Sequence, residues 1–488
     1  MVKQSNYNLF AFVLGREQKI ALLELESVLR SFDFYFNKNH PEVSRGINFS
    51  ILSVVDNVAI IKIKTNNCEN RSNSFEEAKS LIQVLGGTME IYKIIGMAEK
   101  IDPDNIYSQI SQLSEGHKGR VTFGISDYSN TLTEAKINTL GIDVKKKLRE
   151  NTSARFVAER GDSHLSSAAI ISNRLNKDGI LLGIFLSGKQ YLIGKLIGVT
   201  NPSEWSRRDF GKPKSDKFSG MTPPKLARAL INITLSQTQS QISKLKPQTF
   251  TSKLQKKDSH CEESSTRQSD NSLAIQQYNN CAVIDPFCGS GNILMEAAML
   301  GCEVIGSDIS EKAVENTKAN LEWLREQIKN EKLKSKNYGS GTIGLGEAES
   351  YKLFMADATK PEFTKELKNL RTEEPKNIVI VTEPYLGNPK KFKPSLNAAK
   401  GEYQKVKKLY LDFLKNLQAS SCNLQAICII FPLVETTEAK QYSLFAECVD
   451  EIKNLGYTLT CEPMVYGREY QVVKREIVLL KSNSIVTR

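Results

Sequence analysis

Asp285 and Asp308 are the side chains whose chemical use is plainest in this 488-residue chain. Residues 284–291 read Ile-Asp-Pro-Phe-Cys-Gly-Ser-Gly, and Asp308 closes the next apolar run, Glu303-Val-Ile-Gly-Ser-Asp308. That pattern predicts a buried strand, a glycine turn with a carboxylate at its mouth, a helix over 292–300, and a second strand ending in acid. Gly289 and Gly291 let the backbone approach a ligand closely, because glycine has no Cβ and tolerates positive φ. An acid roughly 20 residues past such a turn suits the two hydroxyls of a ribose.

The charge at the turn narrows the ligand. Asp285 would repel a phosphate, and Leu294 stands where the dinucleotide fingerprint has its third glycine. A nucleoside-bearing cofactor with an amino group and no phosphate suits the pair better. S-adenosyl-L-methionine meets that description, with its ammonium facing Asp285 and its ribose facing Asp308. The plain alternative is a glycine turn in an ordinary α/β protein. A third acid, Asp357, follows the apolar run at 352–355 and could accept an adenine amino group. It could also cap the segment after it, and the two roles are compatible.

The loop resembles motif I of class I S-adenosylmethionine-dependent methyltransferases. Its Asp-Pro-Phe-Cys-Gly-Ser-Gly form is similar to the RNA methylase branch that carries a THUMP RNA-binding domain. Residues 209–226, Asp-Phe-Gly-Lys-Pro-Lys-Ser-Asp-Lys-Phe-Ser-Gly-Met-Thr-Pro-Pro-Lys-Leu, resemble the segment that branch places before motif I. Phe12-Val-Leu-Gly-Arg16 with Glu24-Leu-Glu26 resembles its N-terminal opening, and Gly467-Arg468 with Arg475-Glu-Ile-Val-Leu479 its last strand pair. The resemblance points to tRNA guanosine N2-methyltransferases of archaeal and eukaryotic type. It implies a cofactor site built from Asp285, Phe287, Cys288, Gly289, Ser290, Gly291, Asp308 and Asp357.

The resemblance also marks a reaction loop, Val381-Thr-Glu-Pro-Tyr-Leu-Gly387. It stands where amino-methyltransferases place an Asp/Asn-Pro-Pro-aromatic motif, which offers two acceptors to an exocyclic amine and a ring to the base. An aromatic amine is a poor nucleophile because its lone pair is delocalised into the ring. Acceptors on its hydrogens pull the nitrogen toward tetrahedral geometry, and alignment then supplies most of the rate. Here Glu383, Pro384 and Tyr385 would carry these roles, although Glu replaces Asp or Asn, one proline is missing and the ring sits one place early.

These loops need a scaffold, and the sequence predicts one. Strands at 282–284, 303–307, 352–355, 378–382 and 425–431, helices at 292–300, 310–330, 399–419 and 443–455, and a hairpin of 458–464 with 476–481 alternate in the doubly wound manner. This gives a Rossmann-like α/β methyltransferase domain with an antiparallel last strand over 221–488. An α+β region precedes it. A ferredoxin-like segment at 1–46 and a THUMP-like RNA-binding region at 47–199 are expected from the resemblance and the order of elements. Residues 200–220 read as a basic linker, and Ser/Gln/Lys/Asn-rich 236–280 as a flexible insertion that cannot offset its ordering entropy. A second polar insertion is expected at 330–350.

Composition sets outer limits. Lys and Arg total 66 against 55 Asp and Glu, a formal net charge of +11, which suggests an anionic partner. Arg207, Arg208 and Lys212 on the linker, and Lys390, Lys391 and Lys393 after the reaction loop, are the candidate phosphate contacts for tRNA or another structured RNA. Arg468 and Arg475 could pair with Glu469 and Glu476 and are left unassigned. The nine cysteines hold no close C-x-x-C pair, so no metal is expected, and Cys281, Cys288, Cys302, Cys422 and Cys428 read as reduced core residues. No stretch reaches the roughly 18–20 apolar residues of a membrane span, and the N-terminus lacks a signal-peptide layout. A cytoplasmic enzyme is expected. Its leading activity is methylation of guanosine N2 in tRNA. Ribosomal RNA or DNA bases, or a non-catalytic RNA-binding subunit, are the alternatives, and a small activator protein is a candidate partner because some relatives use one.

Overall fold

Strands β1 (Tyr7–Leu14), β2 (Phe49–Val55), β3 (Val58–Lys64), β4 (Thr88–Ala98), β5 (Val121–Asp127), β6 (Ala154–Val157), β7 (Ile180–Ser187) and β8 (Gln190–Val199) form one N-terminal sheet. Its order is β2-β3-β1-β4-β8-β7-β5-β6. The coordinates are a computed structural model, and they describe residues 7–39, 49–64, 80–215, 221–242, 278, 280–335, 351–369, 377–420 and 424–483. β1 alternates little; Phe10, Ala11, Phe12 and Val13 are all buried, as befits a strand covered on both faces. It lies between β3 and β4, antiparallel to each. The sheet therefore crosses the boundary expected at residues 46 and 47, and 1–46 is not a separate unit.

The C-terminal sheet is built from β9 (Cys281–Asp285), β10 (Glu303–Asp308), β11 (Tyr351–Met355), β12 (Asn377–Thr382), β13 (Ala426–Glu435), β14 (Gln441–Ser443), β15 (Tyr457–Leu459), β16 (Met464–Tyr466) and β17 (Val473–Ser482). Its order, β11-β10-β9-β12-β13-β17-β15, is doubly wound. β9 to β13 run parallel along that path, and β17 enters antiparallel beside β13. The expected final hairpin is split. Both β15 and β16 pair with β17, each over three residues. The chain order reverses between β9 and β12, which is where ligands sit in open α/β sheets.

A lead helix (Pro224–Ile242) joins the two sheets. Leu226, Ala227, Ala229, Leu230, Ile231, Ile233 and Leu235 are all buried, and the remaining side is closed by buried Arg228 and Asn232. A helix buried on every side is enclosed rather than amphipathic, and its polar groups need partners within the protein. It packs against the first helix (Gln18–Asn39), against the turn helix (Asn292–Met299), and against β12 and β13. One hydrophobic core consequently runs from Phe10 and Leu25 through Leu230 to Val283 and Ile430.

Two polar locks fasten this arrangement. Buried Glu24 accepts from the amides of Gly86 (2.8 Å) and Gly87 (2.7 Å) and from Asn232 Nδ2 (2.6 Å) on the lead helix. A Cβ on Gly86 would lie 2.3 Å from the Lys225 carbonyl oxygen, so glycine is required there. In the second lock, Glu296 of the turn helix binds Arg208 Nε (2.7 Å) and Arg228 Nη2 (2.6 Å), all three side chains being buried. Arg228 Nη1 also donates to the Gln83 carbonyl at 2.9 Å. Trp205 lies against the Arg208 guanidinium, 4.2 Å from its ring centroid.

The expected linker at 200–220 contains an ordered connector helix (Pro202–Phe210), capped by Asn201 and opened by Pro202. The lead helix runs to Ile242, into the expected 236–280 insertion; 243–277 and 336–350 lie outside the described residues. The expected helix at 443–455 is shortened to Val449–Asn454. Cys281, Cys288, Cys302 and Cys428 are buried and not joined in disulfides, and Cys422 lies outside the described residues.

Candidate active site

β9 delivers Asp285 to the carboxyl edge of the sheet, where the chain turns through Gly289 (φ 53°) and Gly291 (φ 81°) into the turn helix. A Cβ on Gly291 would meet Thr317 at 2.8 Å, and one on Gly306 of β10 would meet Leu294 at 2.4 Å. Gly291 thus needs to be glycine for space as well as for φ, while Gly289 needs it for φ alone.

Asp285 is 2 % exposed. Thr382 Oγ1 donates to its Oδ1 at 2.6 Å and the Phe287 amide to the same oxygen at 3.2 Å. Burial pushes its carboxyl up to about 7, against those two bonds. Asp308 accepts the Gly289 amide on Oδ2 (3.1 Å) and the Ser310 amide on Oδ1 (3.0 Å), so the second acid braces the glycine turn. Asp357 accepts from the Thr359 amide (2.9 Å) and hydroxyl (2.7 Å). This is a local turn ahead of the helix Pro361–Asn369 rather than a cap on it.

Glu383 is the most constrained of the predicted residues. One oxygen accepts from Arg475 Nε at 2.8 Å, and the other from the Thr222 hydroxyl. Arg475 Nη2 also reaches the Met221 carbonyl at 3.2 Å. Burial raises the Glu383 carboxyl above its ordinary value, and the Arg475 guanidinium beside it pulls the other way. Tyr385 is half exposed, with its hydroxyl donating to Asn388 at 2.6 Å. Arg475 therefore pairs across the sheet with Glu383, not with its neighbour Glu476, whose carboxylate accepts from Ser443 at 2.6 Å.

These groups open onto one cavity of about 270 Å³. Asp285, Phe287, Cys288, Gly289, Ser290, Asp308, Asp357, Glu383, Pro384 and Tyr385 all line it. Gly291 is placed just behind, at the start of the turn helix. Sequence reasoning missed Met221, Thr222, Asn292, Ile309 and Leu409, which also line the cavity, and Thr382 and Arg475, which hold the acids. Thr222 and Arg475 stood inside recognised segments, but nothing in a single sequence pairs positions so far apart.

The basic candidates fare differently. Arg208 is no phosphate contact; it is buried against Glu296, because a guanidinium in the core demands a partner carboxylate. Lys212 is likewise buried and donates to Asn292 Oδ1, with its ammonium lowered to about 8 by desolvation. Arg207 is half-buried. Lys390 pairs with Glu402, and Lys393 lies 3.9 Å from Glu435. Lys391 is exposed. Among the described residues, no group of three or more His, Cys, Asp or Glu is placed to hold a metal ion. No helix among them is long and apolar enough to cross a membrane.

A family model described as "Methyltransferase domain" matches residues 277–408. The tRNA (guanine(10)-N2)-dimethyltransferase of Methanothermobacter thermautotrophicus is 26 % identical over 150 residues, 31 % of this chain and 32 % of that protein. The protein of the same name from Pyrococcus abyssi is 40 % identical over 81 residues, 17 % of this chain and 23 % of that one. The chain thus spans about a third, or less, of the curated relatives it matches. A solved "possible methylase" from Clostridium difficile 630 aligns over 98 % of both chains at 14 % identity and a TM-score of 0.42. Residues 277–408 thus match a methyltransferase domain, and the cofactor is S-adenosyl-L-methionine.

Proposed function

We propose that the chain methylates an exocyclic amine of a base in RNA, with guanosine N2 in tRNA as the substrate. One observation carries this reading: the acid-bearing loops of β9, β10 and β11 and the Glu383–Tyr385 loop of β12 line the same cavity.

The residues present fit the cofactor. Asp285 offers a buried carboxylate to an ammonium, Asp308 borders the same cavity on the ribose side, and Asp357 is an acceptor for an adenine amino group. Ile309 leaves an apolar side chain, 71 % exposed, on the cavity wall, where an adenine ring would cover it. When bound, the cofactor supplies a sulfonium-activated methyl group. Glu383 then serves as the acceptor that aligns the amine. Arg475 and Thr222 fix its two oxygens, and each carboxylate oxygen still has a lone pair to offer. Tyr385 provides the ring on which the base stacks. Alignment of this kind is the main source of rate in such a reaction.

The tRNA assignment rests on the two dimethyltransferase relatives and on a net charge of +11. In this reading the N-terminal sheet is a THUMP-type grip on the RNA, and the target base is turned out of its stack at a cost of a few kcal/mol. The test is nucleoside mass spectrometry of unmodified tRNA after incubation with protein and S-adenosylmethionine. N2-methylguanosine is the expected product. A protein that binds the cofactor yet leaves guanosine unmethylated in tRNA would overturn the proposal.

A further inference from the structure

Exposed aromatic side chains flank the reaction machinery in the chain, on the loop that runs on from the cavity-lining Tyr385 and on the loop just before Arg475, the partner of Glu383. Tyr385 leads from the cavity wall at 49 % exposure, Phe392 is 84 % exposed and Tyr470 is 73 % exposed. A single exposed apolar residue needs no explanation. These belong to two loops that meet. Lys393, beside Phe392, lies 3.9 Å from Glu435. The Glu435 amide donates to the carbonyl of Val472, two residues past Tyr470, at 2.8 Å. Both loops are also pinned: the Thr437 amide binds the Pro394 carbonyl at 3.0 Å, and the Arg468 amide binds Gln471 Oε1 at 2.8 Å. Exposed rings on anchored loops lose little conformational freedom when a partner covers them.

Charge accompanies the rings. Lys391 precedes Phe392, and Arg468 lies over the Tyr470 ring, 5.7 Å from its centroid, with its guanidinium bonded to the Tyr470 hydroxyl. The acids nearby are largely answered, Glu402 by Lys390 and Glu435 by Lys474 at 2.9 Å, while Glu469 remains exposed between Arg468 and Tyr470.

We infer that Phe392 and Tyr470 form a stacking platform for the unpaired nucleotides flanking the base that enters the cavity. Lys391 and Arg468 hold the adjoining phosphates. The inference rests on the RNA reading above and adds to it the form of the substrate: a strand splayed open on both sides of the target, not one base lifted from an intact duplex. Rings paired with cations are how single-stranded nucleic acid is held without sequence readout.

The test compares wild type with Phe392→Ala/Tyr470→Ala in two binding assays, tRNA transcript by filter binding and S-adenosylhomocysteine by calorimetry. The double variant should bind tRNA from about 5-fold to over 100-fold more weakly, the loss of one or two stacked bases, with S-adenosylhomocysteine affinity unchanged. Phe392→Trp should retain tRNA affinity, whereas Phe392→Leu should lose it. Retention by the leucine variant would mean simple apolar contact, as with a protein partner, and would overturn the platform. Equal tRNA binding by the double variant, with N2-methylguanosine still formed, would overturn the platform alone. Failure of the wild type to bind tRNA would overturn it together with the RNA reading.

Discussion

Burial raises the Glu383 carboxyl above its ordinary value, while the guanidinium of Arg475 at 2.8 Å pulls it the other way. Arg475→Gln removes the cation and keeps a polar group, so Glu383 should take up its proton at higher pH. The acid limb of the kcat profile for tRNA should move upward, with S-adenosylhomocysteine affinity little changed; an unmoved limb would deny Glu383 a charged role. Breaking a buried pair from one side also costs about 3–5 kcal/mol of stability, measurable by urea unfolding. Asp285 gives a prediction of known sign. Its carboxyl is raised from 3.8 to about 7, so the unliganded protein is stabilised by the proton at low pH and loses that contribution as pH rises toward about 7. Asp285→Asn should lack this part of the slope. Glu24, raised to about 7 for the same reason, keeps its own share in both proteins. The acids of the cavity were legible because each closes a strand within a short recognisable run. Arg475 was not, since its partner lies 92 residues away and two nearer glutamates competed on paper.

At the scale of elements, alternation and apolar runs were enough to foretell the doubly wound sheet, strand by strand, from Cys281 to Thr382. The connector helix was misread as linker because its basic and proline-rich composition outweighed a real start signal. Asn201 accepts the Ser203 amide at 3.1 Å and Pro202 opens the first turn. That misreading carried Arg208 with it, since a cation on a supposed linker looks solvent-facing. The triad it joins should behave as a unit. Glu296→Ala strands two buried guanidinium groups and is expected to cost about 3–5 kcal/mol, read as a lowered unfolding midpoint. Replacing all three members by apolar residues, Arg208→Met, Arg228→Met and Glu296→Leu, should recover much of that loss. If the triple variant is no more stable than Glu296→Ala, the triad does more than fill the core.

The whole molecule is tied through the lead helix, which shares one core with both sheets. Unfolding should accordingly be a single cooperative transition, with far- and near-ultraviolet circular dichroism signals coincident in urea; two separated transitions would show that the halves are energetically independent. Glu24→Gln probes the same junction. Its amide offers only one acceptor oxygen to the three donors that Glu24 now receives, from Gly86, Gly87 and Asn232. A loss of about 1–3 kcal/mol is expected for a buried donor left unmet. The boundary expected at residues 46 and 47, inside the N-terminal half, was not legible as a continuous sheet because β1 pairs with strands more than 40 residues away. The enclosed helix also bears on protein engineering. An exchange of N-terminal modules that cuts this chain near residue 200 would strip the cover from Leu226, Leu230 and Ile233, and it would take away the Gln83 carbonyl that receives Arg228. A workable chimera has to carry the first helix, the glycine pair at 86 and 87 and the lead helix as a single cassette.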